Sequence, residues 1–207
     1  MGRVLVINAS ARKDRSLSRY LTEVFIEKWK GKNPEDSVVH REVGRENIPH
    51  VSEAWIAGAF KPAGLRTAED FAALEVSNKL ISELKDADVI VLGTPMYNWS
   101  IPSALKAYFD QVLRVNETVL INPKAESPYT GLLKNKKAYL FLVRGNAGYG
   151  PGEYLQHLNF QTEYLKTVFN IMGIDDVEVV ILDGAAHGEE ELAITLAAAQ
   201  VKISELI

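Results

Sequence analysis

Residues 89–106 read VIVLGTPMYNWSIPSALK. Val89-Ile90-Val91-Leu92 is an unbroken β-branched and aliphatic run, the composition of a strand buried on both faces. Such a strand belongs to a parallel sheet with helical crossovers, so this run decides the fold class as α/β. Beyond it the spacing changes. Ile101, Leu105, Tyr108, Phe109, Val112 and Leu113 fall on one helical face, with Ser100 as the expected cap and Pro102 in the first turn, where a missing N–H costs little. Between strand and helix stand Met96, Tyr97, Asn98 and Trp99. A loop that only turned the chain would use Gly, Asn, Asp and Ser for their backbone geometry. This one displays flat and soft side chains instead.

The alternation continues outward in both directions. Residues 3–8 form an apolar strand ending in Asn8-Ala9-Ser10, and Leu17, Leu21, Val24, Phe25 and Trp29 recur at helical spacing within 17–30. A second strand is expected over 37–43. Residues 44–66, with Pro49, Gly58, Pro62 and Gly64, keep no period and read as an insertion with a short helix. One helix beneath a Thr67 cap is expected over 67–86, with Phe71, Leu74, Leu80, Ile81 and Leu84 inward. After the third strand, 88–93, and its helix, residues 114–135 read as a surface excursion and Lys134–Lys137 as a solvated turn. Then come a strand over 138–143, a glycine-rich loop, a helix from about 153 to 172, a strand over 177–182 and a closing helix over 189–206. The expectation is one domain over 1–207: a five-stranded parallel sheet in the flavodoxin-like order 2-1-3-4-5, helices on both faces, and the insertion at about 44–66.

Composition narrows the function. A formal net charge of −4 argues against a broad nucleic-acid footprint. The absence of cysteine removes disulfides, thiol nucleophiles and cysteine-ligated zinc together, and suits a reducing compartment. No apolar stretch is long enough to span a bilayer and no secretory signal is visible, so no membrane partner and a cytoplasmic location are expected. His40, His50, His157 and His187 are scattered and show no metal-ligand spacing, so no metal site is expected.

In an open parallel sheet the ligand lies outside the carboxyl ends of the strands, where the strand order reverses. That place is between strands one and three. The first loop there carries Ser10, Ser16, Leu17 and Ser18 leading into a helix, and reads either as a phosphate cradle or as an ordinary serine cap. The second offers Met96, Tyr97 and Trp99 beside Asn98, and reads either as a wall for a planar heterocycle or as a plug for the end of the sheet. Taken together, the two loops describe one ligand with a phosphate at one end and a flat ring at the other. FMN has that form.

The serines at 10, 16 and 18, the run Pro95-Met96-Tyr97-Asn98-Trp99-Ser100-Ile101-Pro102, the pair Arg144-Gly145 and the segment Phe160-Gln161-Thr162-Glu163-Tyr164-Leu165 resemble, in the same order over nearly the whole chain, the FMN-dependent NADH azoreductases and NAD(P)H quinone reductases. The resemblance implies a flavodoxin-like fold and a homodimer with FMN sites at its interface. It also implies ping-pong reduction of quinones and azo aromatics by NADH or NADPH. It places Ser10 and Ser16 to Ser18 on the FMN phosphate, Met96 to Trp99 along the ring, Pro95 at the loop's entry, and Arg144, Gly145 and Asn146 near the flavin. Where the family has Ser-Arg-Gly-Gly, this chain reads Val143-Arg144-Gly145-Asn146, so no hydroxyl stands at 143. Trp99 takes a position more often held by phenylalanine in the family. Peptide N–H groups of the 145–148 loop are candidates to stabilise reduced flavin. Water or Tyr149 is the candidate proton donor, and Phe160 either matches the family's substrate-side aromatic or packs in a helix core.

Rival readings leave traces that can be checked. The glycines at 145, 148, 150 and 152 follow the fourth strand and do not make the dinucleotide motif of a first strand. Ser103-Ala-Leu-Lys106 and Ser82-Glu-Leu-Lys85 both fit S-x-x-K, without its companion motifs. A receiver domain needs acids where this chain has Asn-Ala-Ser and Gly-Thr-Pro. A non-enzymatic flavodoxin-like electron carrier and an acyl-carrier-type phosphodiesterase share the fold and stand as alternatives.

Overall fold

A computed structural model describes residues 1–207. Its elements, in chain order, are β1 (Arg3–Asn8), α1 (Leu17–Lys32), β2 (Ser37–Arg41), α2 (Glu53–Phe60), α3 (Ala68–Ala73), α4 (Glu75–Asp86), β3 (Val89–Pro95), α5 (Ser103–Val112), β4 (Val119–Ile121), β5 (Tyr129–Gly131), β6 (Lys137–Val143), α6 (Thr162–Met172), β7 (Asp176–Leu182) and α7 (Glu189–Leu206). The five long strands form one parallel sheet in the order β2-β1-β3-β6-β7. This is the expected 2-1-3-4-5 order with the short β4/β5 hairpin left out of the count.

The period of two in β1 builds two cores. Leu5 and Ile7 point to one face and meet Leu80, Ile81 and Leu84 of α4, Leu105, Tyr108 and Phe109 of α5, and Leu165 and Phe169 of α6. Val4 and Val6 point to the other and meet Leu21 and Phe25 of α1 and Ala199 and Ile203 of α7. Each face is covered, which is why the strands could be apolar throughout.

Several boundaries differ from expectation for identifiable reasons. The helix expected over 67–86 breaks at Leu74, whose φ of −97° and ψ of 0° end α3 and begin α4. Leu74 is fully buried beside Trp55 and Ala59, so the break lets α3 fold back on α2 while α4 lies on the sheet; Phe71 is left half exposed. Thr67 does cap α3, in a reciprocal box with Asp70. The 114–135 excursion contains the β4/β5 hairpin and is anchored: Gly131 and Gly173 pack backbone on backbone, and Leu133 N–H donates to Met172 O at 2.8 Å. Lys136, half-buried, is tied down within the 134–137 turn. Its ammonium donates to Lys85 O at 2.8 Å and to Ala87 O, closing the C-terminal end of α4. The expected helix from 153 begins only at Thr162, after a single 3₁₀ turn over Gln156–Leu158.

Asp70 gives the insertion an acid sensitivity. Lys61 first, and then the Thr67 N–H and hydroxyl, hold its carboxyl down at about 2. A depressed folded-state value stabilises above the unfolded value of about 4 and is lost as pH falls through about 2. The urea midpoint of the wild-type chain should therefore fall more between pH 5 and pH 2.5 than that of Asp70→Asn, and parallel losses would refute the assignment.

Candidate functional site

The carboxyl ends of β1, β3, β6 and β7 enclose a cleft of about 220 Å³, lined by Ser10, Arg12 and residues 15–18 from the first loop, Pro95 to Tyr97 from the second, and Val143, Gly145, Ala185 and Ala186 opposite. Its foundations are polar and locked. Asn8, at the end of β1, donates to Glu42 Oε1 at 2.9 Å and accepts from the Thr22 hydroxyl at 3.1 Å, while Arg19 Nη1 reaches the same Glu42 oxygen at 2.5 Å. Burial pushes the Glu42 carboxyl up, but the Arg19 and Asn8 bonds outweigh it and hold it below its ordinary value.

On this base stands the first loop. Ser16 is the N-cap of α1, its Oγ accepting from Arg19 N–H at 3.3 Å and lying 3.3 Å from Ser18 Oγ. Ser10 Oγ accepts from Arg12 N–H at 3.2 Å. The N–H groups of Leu17 and Ser18 make no bond within the chain, as befits a helix start. α1 comes this close to the sheet because Gly93 has no side chain: a Cβ there would stand 2.7 Å from Ser18 O and 2.6 Å from Thr22 Cγ2. Whereas Arg19, Arg41 and Arg114 are each paired with a glutamate, Arg12 and Arg15 stand exposed in the cleft without a carboxylate partner. Hydroxyls, free amides and two guanidiniums thus converge where an anion would sit.

The second loop is a tight reversal. Tyr97 and Ser100 exchange backbone bonds of 2.9 and 3.0 Å around Asn98 and Trp99, at φ 46° and 65°. Positive φ at both central residues is the type I′ hairpin turn, common for asparagine and costly for tryptophan. Ser100 is spent on this pairing, and Pro102 takes the cap position of α5 instead. Met96 N–H donates to Val143 O at 2.7 Å and Phe160 N–H to Trp99 O at 3.1 Å, so the turn is held from both sides. Tyr97, Trp99 and Phe160 remain 39, 51 and 60 % exposed. Trp99→Gly should raise the stability of the cofactor-free chain by about 1 kcal/mol, because glycine accepts this backbone freely. A thermal melt checks it; an equal loss would mean that the indole is held by packing.

Behind the third wall lies Arg144, 1 % exposed. Its Nε donates to Gln161 Oε1 at 3.1 Å and its Nη2 to Thr162 Oγ1 at 2.5 Å, and the guanidinium stands 5.6 Å over the Tyr149 ring. Asp183 Oδ1 is 3.6 Å from Nη1, an ion pair without a hydrogen bond. Burial lowers the arginine's affinity for its proton and raises the Asp183 carboxyl, with each charge partly offsetting the other. The carbonyls of Arg144, Gly145 and Asn146 accept from Ala185, Ala186 and Gly184, while the N–H groups of Gly145 and Asn146 have no partner. His187 ties the loop tip to α7, contacting Asn146 Oδ1 at 2.7 Å and Glu191 Oε1 at 2.8 Å.

The fold therefore brings Ser10, Ser16, Leu17, Ser18, Pro95, Met96, Tyr97 and Gly145 to one cleft. Asn98 and Trp99 form the turn at its rim. Arg144 and Tyr149 lie beneath its wall, Asn146 is engaged by His187, and Phe160 stands beside Trp99. Sequence reasoning missed Arg12, Arg15, Ala185 and Ala186. The two arginines were detectable as cations in the proposed phosphate loop, and the alanines follow from the rule that every loop at the carboxyl edge can contribute.

Comparison with known proteins identifies the family of the chain. The sequence model of a family described as having a flavodoxin-like fold matches residues 2–207. The chain is 41 % identical to FMN-dependent NADH:quinone oxidoreductase 1 of Pseudomonas fluorescens (strain Pf0-1), covering 100 % of this chain and 98 % of the relative. It is 43 % identical to FMN-dependent NAD(P)H:quinone oxidoreductase 1 of Pseudomonas aeruginosa, over 92 % of this chain and 89 % of the relative. Among solved structures, an azoreductase from Bacillus anthracis str. Sterne superposes with a TM-score of 0.87 at 27 % identity, over 100 % of this chain and 98 % of that one.

Proposed function

Because the chain belongs to the flavodoxin-like family of FMN-dependent NADH:quinone oxidoreductases, we propose that it is itself an FMN-dependent oxidoreductase that uses NADH or NADPH to reduce quinones and to cleave aromatic azo compounds. One observation supports this most: a single cleft joins an anion-binding end to a flat, soft wall. At the first end, the Leu17 and Ser18 amides, the serine hydroxyls and the unpaired Arg12 and Arg15 fit a phosphate dianion. At the second, Met96 and Tyr97 offer a face for the ring. Bound FMN supplies the two-electron chemistry. The chain's own part is to orient the ring and to meet charge at its pyrimidine edge with the free N–H groups of Gly145 and Asn146.

The cleft is smaller than most enclosed cofactor sites and open to solvent. Exposed Tyr97, Trp99, Tyr154 and Phe160 suit a second copy that completes it, so we assign the working form as a homodimer. The exposed aromatics at the rim are also the surfaces on which a flat acceptor would stack. The phosphodiesterase reading gains no support from this site, where the serine hydroxyls stand beside arginines and no base.

The test is to reconstitute the protein with FMN, desalt it and mix it anaerobically with NADH or NADPH. Loss of the oxidised-flavin absorbance, and its return on adding a quinone, is the expected result. A colourless protein would refute the cofactor, and bound flavin that neither donor bleaches would leave an electron carrier. Met96→Asp should weaken FMN binding at least tenfold, about 1.4 kcal/mol, by placing a carboxylate against the ring; unchanged affinity and spectrum would misplace the ring.

A further inference from the structure

The loops that follow β6 and β7 meet at the far wall of the cleft. Two glycines at positive φ, Gly184 at 72° and Gly188 at 114°, bracket Ala185-Ala186-His187. The N–H groups of Ala185 and Ala186 donate to Arg144 O and Gly145 O at 3.0 and 2.9 Å, and both alanines line the cleft. His187 is exposed and does not line it. Its Nε2 lies 2.7 Å from Asn146 Oδ1, and its Nδ1 lies 2.8 Å from Glu191 Oε1 in the first turn of α7. We propose that His187 is a positioning residue for the flavin site: its hold on Asn146 keeps the free amides of Gly145 and Asn146 set for the pyrimidine edge of FMN, and so favours reduced over oxidised flavin. This rests on the FMN reading above.

Three features carry the assignment. The first is the identity of the bonded atoms. Ala147 N–H donates to the same Asn146 Oδ1 at 3.1 Å, which marks that atom as the acceptor oxygen, and the Glu191 carboxylate is an acceptor too. His187 therefore makes both contacts as hydrogen bonds only with a proton on each ring nitrogen, the form in which they are charge-assisted. Glu191 offsets that charge, so what the ring passes to the cleft is geometry rather than field. The second is that the ring stands on a fixed turn. His187 N–H donates to Gly184 O at 2.9 Å, and a Cβ at Gly184 would stand 2.9 Å from Glu191 Oε1 and 3.3 Å from His187 Nδ1, so bare backbone lets the pair close over it. The third is that Asn146 is tied through every polar group but one. Its side-chain oxygen accepts from His187 and Ala147, its carbonyl accepts from Gly184 N–H at 3.2 Å, and its own N–H is left free. A loop held this way loses little freedom when a ligand arrives, and donors already in place favour the flavin state that carries negative charge at that edge.

The experiment compares the unaltered chain with His187→Ala and with His187→Gln, which keeps a donor for Asn146. In the flavin-free proteins, amide hydrogen exchange over residues 144–147 and 184–186 should be roughly tenfold faster in His187→Ala and close to the unaltered rate in His187→Gln. In the FMN-loaded proteins, the two-electron midpoint potential should fall by about 30 mV in His187→Ala, a tenfold loss of preference for reduced flavin, and should hold in His187→Gln. Asn146→Gly keeps the backbone amide and removes the histidine's partner. Adding His187→Ala to it should leave the potential where Asn146→Gly alone puts it. Exchange or potential unmoved by His187→Ala, or a full further fall on adding it to Asn146→Gly, would overturn the inference while leaving the cofactor reading intact. A reconstituted protein that stays colourless would remove both, and the flavin-free exchange tells the two failures apart.

Discussion

Arg144→Leu should destabilise the protein by about 3–5 kcal/mol, the range for removing one member of a buried charge pair. The loss has three sources in this structure. Gln161 Oε1 and Thr162 Oγ1 lose their donor, Asp183 is left half-buried without its counter-charge, and the Tyr149 ring loses the cation above it. Because the Arg144 carbonyl accepts from Ala185 and the next two residues carry the free amides, the 144–147 loop should loosen as well, and FMN should bind more weakly. Urea unfolding measures the first effect and flavin titration the second. Adding Asp183→Asn should restore part of the stability by removing the orphaned charge, in the manner of a double-mutant cycle. If the single variant loses less than 1 kcal/mol, the guanidinium contributes packing and its ionic contacts are idle.

Gly44→Ala should cost about 3 kcal/mol and disturb the flavin site together, although residue 44 does not line the cleft. A Cβ at this position would stand 2.3 Å from Ser10 O and 2.6 Å from Ala9 O, both backbone atoms that cannot swing away. Gly44 N–H also donates to Asn8 O at 3.0 Å, so the chain leaving β2 clamps the chain leaving β1. Relief requires the Ala9-Ser10 segment to move, and with it the first wall of the anion site. Gly31→Ala is the control. It lies exposed in α1 with no atom within 4 Å of the added carbon, and should stabilise by about 0.5–1 kcal/mol through helix propensity. Equal melting of the two variants would remove the steric account of residue 44.

Both predictions concern residues whose roles were not legible in sequence. The family pattern puts Arg144 near the flavin, and the fold puts it behind the wall as a buried support. Gly44 was one glycine in a stretch without period. Arg12 and Arg15 were visible as letters, but their lack of carboxylate partners could only be seen once Arg19, Arg41 and Arg114 had been paired with theirs.

What the sequence determined by itself was everything with a local cause or a fixed period. The apolar runs at 3–8, 89–92 and 138–143 specified central strands covered on both sides and the run at 177–182 a more exposed edge strand, the helical spacing between them specified crossovers, and together these place the ligand at the carboxyl edge. Thr67 and Ser16 announced their helix starts through side chains that cap within three residues. Tertiary structure alone decided the break at Leu74, the I′ turn that holds Trp99 at positive φ, and the backbone contact of Gly44 with Ser10. It also decided which arginines are paired. Each of these depends on atoms distant in sequence meeting at contact range, where packing and charge compensation override the preference of any single residue.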